Sequence, residues 1–370
     1  MKRILFVIGS LKGGGAEKVL LETVKGLNKE KYSITVMPIW EAGIYLEEMK
    51  SYVKVIGIFH GNWRNKWLEQ IAEKLMMRIF RLIPAILLHY FFIREKYEIE
   101  IAFIEGMSTK IVSGSTKKTT KLLAWVHADM QRHTYSTFAF ASLKQEKKAY
   151  HKFDQILCVS NLCKKSFEEK YGCTAKVQYN VLDEQEILRK AEEPIPQKFD
   201  SEYINLISVG RLSYEKGYLR LLIAFSKLNN AKLRLYILGE GEQKSDLEKK
   251  IEEYHLQEQV YLLGFQKNPY AYMKRSDIFV CSSYSEGFST VATEAIILGM
   301  PIVTTACAGM QDLLGDSEYG IICPNNEEGL LQGLNQILNV DERQKYTEQA
   351  RLRSSYFKKK KRIQEIEKLL

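Results

Sequence analysis

The chain has no CxxC pair, no uninterrupted apolar run of membrane-spanning length, no GK[ST] phosphate loop, no G-x-G-x-x-G fingerprint and no Asp-x-Asp. Each absence closes a route. The six cysteines, Cys158, Cys163, Cys173, Cys281, Cys307 and Cys323, lie mostly in apolar segments at no metal-ligand spacing. They indicate a reduced cytosolic protein, not a disulfide scaffold or a zinc site. The most apolar stretch, Ile79 to Ile93, is shorter than the ~20 residues that span a bilayer and is interrupted by Arg81, Pro84 and His89. The opening "MKRILFVIGSLKGGG" reaches glycines after a short apolar run, so it reads as a first β-strand and not as a signal peptide.

What is present suggests two domains. A length of 370 residues exceeds the roughly 100–200 usual for one domain, and 45% apolar with 11% aromatic content is enough for two cores. A net charge of +9 implies an acidic partner: nucleic acid, anionic lipid or a phosphorylated small molecule. The segment Arg78 to Tyr97 mixes cations with aliphatic and aromatic residues. It reads either as an interfacial helix on a membrane or as a buried helix pair broken at Pro84.

Apolar strand-like runs alternate with helix-like ones in both halves. "KRILFVI", "YSITVMPI", "VKVIGIF", "IEIAFIE", "KLLAWVH" and "DQILCVS" are expected strands of the first half, and "INLISVG", "LRLYILG", "VYLLGF", "DIFVCSS" and "PIVTTA" of the second. Continuous apolar runs interleaved with helices predict doubly wound parallel sheets. Residues 183–203, charged and carrying Pro194 and Pro196, read as a linker. The basic run Lys358 to Arg362 reads as a solvated helix face or as a contact for a phosphate-rich or membrane partner.

Ligands of such sheets bind beyond the carboxyl ends of the strands. In the first half those ends supply the glycine loop with Gly9, Gly13, Gly14 and Gly15, then Glu105, and then His127 with Asp129. In the second half they supply Arg211 and Lys216, cations suited to a diphosphate. Gly264 and Phe265 follow, where an aromatic could meet a flat base. Finally "SEGFSTVATEA" places Glu286 and Glu294 eight residues apart across a helix start. Amides at such a start favour an anion, and carboxylates suit vicinal hydroxyls, so both glutamates are expected in one pocket. The alternatives are that Glu286 caps the turn and that Glu294 pairs with a surface lysine.

The run "VGRLSYEKG", followed by "LLGFQKNPYAYMKRSDIFVCSS" and "SEGFSTVATEA", resembles the retaining nucleotide-sugar glycosyltransferases of family 4. "GGGAEKV", "FIEGMST", "WVHADM" and "FDQILCVS" extend the resemblance over nearly the whole chain. It implies the α/β GT-B fold, two Rossmann-like doubly wound domains facing across a cleft. The implied domains are an acceptor-side domain over 1–185 and a nucleotide-sugar domain over 200–350, with the helix of about 350–370 returning to the first. By resemblance Arg211 and Lys216 would bind the donor diphosphate and Glu294 the ribose. Glu286 would contact the transferred sugar, and Gly287, Phe288, Ser289 and Thr290 would hold phosphate and sugar by their backbone. Phe265 to Asn268 would lie near the base, Gly14 and Gly15 over the diphosphate, and His127 beside the reacting sugar. Glu105 and Asp129 are candidates for the acceptor side.

The implied activity is retaining transfer of a hexose or N-acetylhexosamine from a nucleotide-sugar, a UDP-sugar first among them, to a glycan or lipid-linked saccharide in surface polysaccharide assembly. No cofactor and no metal are expected. The implied location is cytoplasmic, peripheral on the inner face of the membrane, with an anionic membrane surface as a further partner. A basic phosphate- or nucleic-acid-binding module is the alternative; it predicts cations spread along one face with aromatics between them, whereas here the cations also gather at strand ends, and no nucleic acid is expected. A dehydrogenase is disfavoured by the glycine spacing. Many relatives carry Pro or Asn in the Glu-Gly-Phe run, where this chain has "FSTVAT", so the donor sugar does not follow from the motif.

Overall fold

The computed structural model describes residues 1–370 apart from 61–65, 133, 134, 198 and 201, and of residues 66–70, 135 and 136 it describes the backbone. The chain divides into two compact units, Met1–Val181 with Lys360–Leu370, and Leu182–Lys359.

In the first unit seven strands form one parallel sheet. They are β1 (Lys2–Ile8), β2 (Tyr32–Pro38), β3 (Lys54–Val55), β4 (Ile99–Ala102), β5 (Lys121–Val126), β6 (Gln155–Cys158) and β7 (Lys176–Val177), in the order β3-β2-β1-β4-β5-β6-β7. Ile4 to Ile8 are fully buried, as a strand covered by helices on both faces requires. The expected strand "VKVIGIF" divides. Lys54–Val55 joins the sheet, whereas Phe59–His60 pairs with Trp40–Glu41 in a separate ribbon. Gly57 lies between them, where a Cβ would sit 2.4 Å from Glu41 Cβ, so the chain leaves the sheet by passing close to that ribbon.

The second unit holds β8 (Ile204–Val209), β9 (Leu233–Leu238), β10 (Val260–Gly264), β11 (Ile278–Cys281), β12 (Ile302–Thr305) and β13 (Ile321–Cys323). Their order is β10-β9-β8-β11-β12-β13, again parallel throughout. Its core is built from the strand interiors and the apolar faces of the covering helices, with Leu206, Leu221, Leu235, Ile278 and Leu330 wholly buried.

Both sheets share the doubly wound order in which the chain reverses direction between the first and fourth strands. The loops after β1 and β4, and those after β8 and β11, therefore sit at topological switch points. The helices used below are α1 (Gly15–Gly26), α2 (Lys66–Leu82), α3 (Ala85–Phe92), α4 (Tyr218–Lys227) and α5 (Thr290–Ile297).

Two expectations need correction. The stretch read as a linker contains a helix, Glu184–Ala191, started by Asp183, whose side chain accepts from the Glu186 amide at 2.9 Å, and anchored by buried Ile187 and Ala191. The basic run is not one solvated face. Lys359 pairs with Asp183 at 2.8 Å, and Arg362 is buried beneath Tyr179 with Glu365 as its partner. Within the first unit the final residues are tied down by Lys2 and Lys121, which donate to the carbonyls of Leu370 and Leu369.

Candidate functional site

At the switch point of the second unit, the loop after β8 meets the loop after β11. Tyr214–Lys216 form a single tight turn closed by Gly217 at φ +65°. A Cβ on Gly217 would lie 2.2 Å from the Ser282 carbonyl, so only glycine lets the turn seat against the end of β11. Ser282 Oγ in turn donates to the Lys216 carbonyl at 2.9 Å. The result places Lys216 Nζ 2.7 Å from Glu286 Oε1, across seventy residues of sequence. Ser283 Oγ donates to the same oxygen at 2.6 Å.

Burial alone would push the Lys216 ammonium toward losing its proton, but the Glu286 carboxylate outweighs it and holds the pKa above the ordinary lysine value. The lysine therefore stays charged through the physiological range. A narrow cavity opens here, lined by Lys216, Tyr218, Cys281, Ser283, Glu286 and Ser289 among others. Ser289 starts α5, its hydroxyl accepting from the Ala292 amide at 3.3 Å. A helix start, an ammonium and a carboxylate thus converge, a combination that can bind an anionic group beside a hydroxyl-bearing one.

Glu286 lines this cavity, whereas Glu294 does not. Glu294 is 3% exposed within α5 and accepts from Tyr270 Oη at 3.3 Å. Phe288 is buried against Phe357, with ring centroids 6.5 Å apart, and leaves its backbone with Gly287 to shape the loop. Gly309 at φ +78° packs beneath that loop, where a Cβ would come within 2.7 Å of the Gly287 carbonyl. Arg211 is exposed, with no side-chain partner among the described residues. Phe265 is also exposed, directly after the positive-φ Gly264. Asn268 is engaged elsewhere, donating to the Lys190 carbonyl and to Glu193, both at 2.8 Å.

The sequence reasoning missed Arg220. It is buried in α4, with Nε donating to the Ser282 carbonyl at 2.7 Å, Nη1 to Asn325 Oδ1 at 2.7 Å and Nη2 to Thr305 Oγ1 at 3.3 Å. Its guanidinium lies 3.8 Å from the Tyr284 ring centroid, and Tyr284 stacks on Tyr214 at 4.9 Å. One side chain therefore fixes the loops that carry both Lys216 and Glu286. The available signal was an arginine inside the apolar run "YLRLLIAF", where a solvated cation has no place.

In the first unit the glycine loop ends in Gly13 at φ +111°, and Gly14 serves as the extended N-cap of α1, with Gly15 as its first residue. The Glu17 carboxylate fills the space beside Gly14, its Oε2 2.3 Å from where a Cβ would stand. Glu105 follows β4, and its Oε1 accepts the backbone amides of His127 and Ala128, shaping the turn after β5. Asp129 is buried and closes its own turn by accepting from the Gln131 amide at 3.0 Å. The His127 ring packs against Phe103 and Trp125 at 5.0 and 6.2 Å between ring centroids.

Burial pushes the His127 imidazole down to about 3, against a backbone hydrogen bond at Phe103 that favours its charged form. The sign is that of a depressed base. The stability this ring confers is complete above the unfolded value near 6.5 and is lost as pH falls toward about 3. Titrating unfolding free energy between pH 7 and 4 is expected to show a slope of up to about 1.4 kcal/mol per pH unit that His127→Gln flattens. An equal slope in the variant would show that another group titrates there.

Residues 189–353 match the family model described as glycosyl transferases group 1. Over 218 residues the chain is 36% identical to the N-acetylgalactosamine-N,N'-diacetylbacillosaminyl-diphospho-undecaprenol 4-alpha-N-acetylgalactosaminyltransferase of Campylobacter jejuni, covering 57% of this chain and 58% of the relative. It is 30% identical over 151 residues to the amylovoran biosynthesis glycosyltransferase AmsD of Erwinia amylovora, covering 40% of this chain and 43% of the relative. The chain thus spans about half the length of these curated relatives. The crystal structure of Anabaena HepE in complex with UDP and glucose superposes with a TM-score of 0.76 at 18% identity, over 100% of this chain and 99% of that one. This likeness establishes the fold as GT-B. The family match thus falls on the second unit, where the sheet order and the clustered motif residues place the candidate site.

Proposed function

We propose that the chain transfers a hexose or N-acetylhexosamine with retention from a nucleotide-sugar, preferentially a UDP-sugar, to a glycan or lipid-linked saccharide in surface polysaccharide assembly. The observation that carries this reading is the meeting of Lys216, Glu286 and the Ser289-capped start of α5 at one switch point. The relatives support the substrate classes. One is named for transfer to a diphospho-undecaprenol-linked saccharide and another for amylovoran biosynthesis, and HepE was solved with UDP and glucose.

In this reading Arg211, Lys216 and the first-turn amides of α5 stabilise the charge that develops on the departing diphosphate, so no metal is required. Glu286 accepts hydrogen bonds from hydroxyls of the transferred sugar, and Glu294 from the ribose. The anomeric carbon–phosphate oxygen bond breaks, the acceptor oxygen bonds that carbon on the same face, and its proton passes to the phosphate oxygen. In the first unit, His127 supplies an uncharged imidazole and Gly14 and Gly15 an anion-seeking helix start. No disulfide joins the six cysteines, which fits a reducing compartment.

The test is thermal denaturation against a panel of UDP-, GDP- and ADP-sugars. A ligand at a hundredfold over its Kd is expected to add about 2.7 kcal/mol of stability. Arg211→Ala is expected to reduce that gain and Lys216→Ala to remove it. Unchanged melting with every nucleotide sinks the reading.

A further inference from the structure

The exposed apolar residues are unevenly spread. Ile71, Leu75, Ile79 and Leu82 recur along α2 at spacings of four, four and three, which places them on one stripe. On α3, Ile86 and Tyr90, and Leu87 and Phe91, stand four apart and share one exposed face. Leu82 is 79% and Tyr90 73% exposed, although their neighbours on the inner faces, Phe80, Leu88 and His89, are buried.

The two helices are held as a rigid bent pair. The Lys110 ammonium donates to the carbonyls of Phe80 and Arg81 at 2.7 and 2.8 Å, finishing α2 where Pro84 stops it. Phe59, Phe80 and Phe92 clamp the inner side, and His89 is fixed to Glu100 at 2.8 Å. The pair bends by 120°, and among the described residues no single helix is long and apolar enough to cross a membrane. One face of the pair is therefore core, and the other is open.

Charge identifies what covers the open face. From Lys74 to Arg94 there is no acidic residue, whereas Lys74, Arg78, Arg81 and Arg94 are all exposed beside the apolar stripes. A second copy seated on this face would bring these cations against their own kind. Anionic lipid headgroups would neutralise them while the acyl boundary takes the leucines and aromatics. We infer that the outer faces of α2 and α3 form an interfacial docking surface for an anionic bilayer, lying in the headgroup region without crossing it. This inference stands independently of the donor reading.

The test is co-sedimentation of the full chain with phosphatidylcholine vesicles containing about one third phosphatidylglycerol. Wild type is expected to pellet with them and far less with pure phosphatidylcholine. Leu82→Asp with Phe91→Asp should lower the partition coefficient at least tenfold, with an unchanged melting temperature showing that the fold survives. Lys74→Gln with Arg78→Gln should lower it roughly fivefold per cation removed, through loss of headgroup attraction. Failure of wild type to pellet with anionic vesicles, or equal pelleting of the aspartate variant, overturns the inference. So does a vesicle-free dimer that sedimentation velocity shows to be split by the same aspartates, since the face would then belong to a second copy.

Discussion

Arg220→Ala is expected to destabilise the second unit by about 3–5 kcal/mol, lowering its melting temperature by roughly 10 °C, and to remove nucleotide-dependent stabilisation as well. Three acceptors, the Ser282 carbonyl, Asn325 Oδ1 and Thr305 Oγ1, lose a charged donor at once. A void is left beneath Tyr284, which the guanidinium had supported. Arg220→Lys separates positioning from bulk stability. One ammonium restores the charge but cannot offer three donors in a planar fork, so stability should recover in part while KM for the donor stays raised. Differential scanning calorimetry together with steady-state kinetics measures both, and an Arg220→Ala protein melting within about 1 °C of wild type refutes the positioning role.

The second large effect is expected at Glu294. Glu294 is 3% exposed, and in the proposed reading its carboxylate, accepting from a ribose diol seated outside the narrow cavity, makes charge-assisted bonds worth about 1.5–3 kcal/mol each. Glu294→Ala should therefore weaken nucleotide binding by about a hundredfold or more, read by calorimetric titration. Removal of the carboxylate also strips Tyr270 Oη of its 3.3 Å acceptor, so loss of a purely structural contact must be distinguished. Tyr270→Phe supplies the control, because it deletes that contact and keeps the carboxylate. Near-normal affinity in Tyr270→Phe with loss in Glu294→Ala supports ribose recognition; equal loss in both assigns Glu294 to packing.

Much of the fold was readable because a strand buried on both faces must be apolar throughout, as Ile4 to Ile8 and Ile278 to Cys281 are. The readings that failed share a cause: a local feature outweighed composition. At Gly57 the chain turns toward a second ribbon despite the apolar run around it. In "DEQEILRKA" two nearby prolines suggested a linker, yet Asp183 capping the Glu186 amide starts a helix whose inner face is Ile187 and Ala191. Lys216 and Glu286 were each legible as polar residues at strand ends. Their ion pair was not, because it depends on β8 and β11 being neighbours, a property of strand order that no local pattern records. Arg220 was hidden for the opposite reason, since its partners are backbone and small polar groups that look unremarkable in sequence.

The return of residues 360–370 to the first unit has a consequence for biosynthesis. Ile363, Ile366 and Leu370 are buried there, and the Glu367 carboxylate receives the Asn28 amide at 3.2 Å. During translation the first 181 residues leave the ribosome lacking this piece, while the inserted unit that follows already has all of its strands by residue 323. The order of completion is thus nested: the inserted unit can close before the unit whose first strand was made earliest, so Ile363, Ile366 and Leu370 reach their partners only after it.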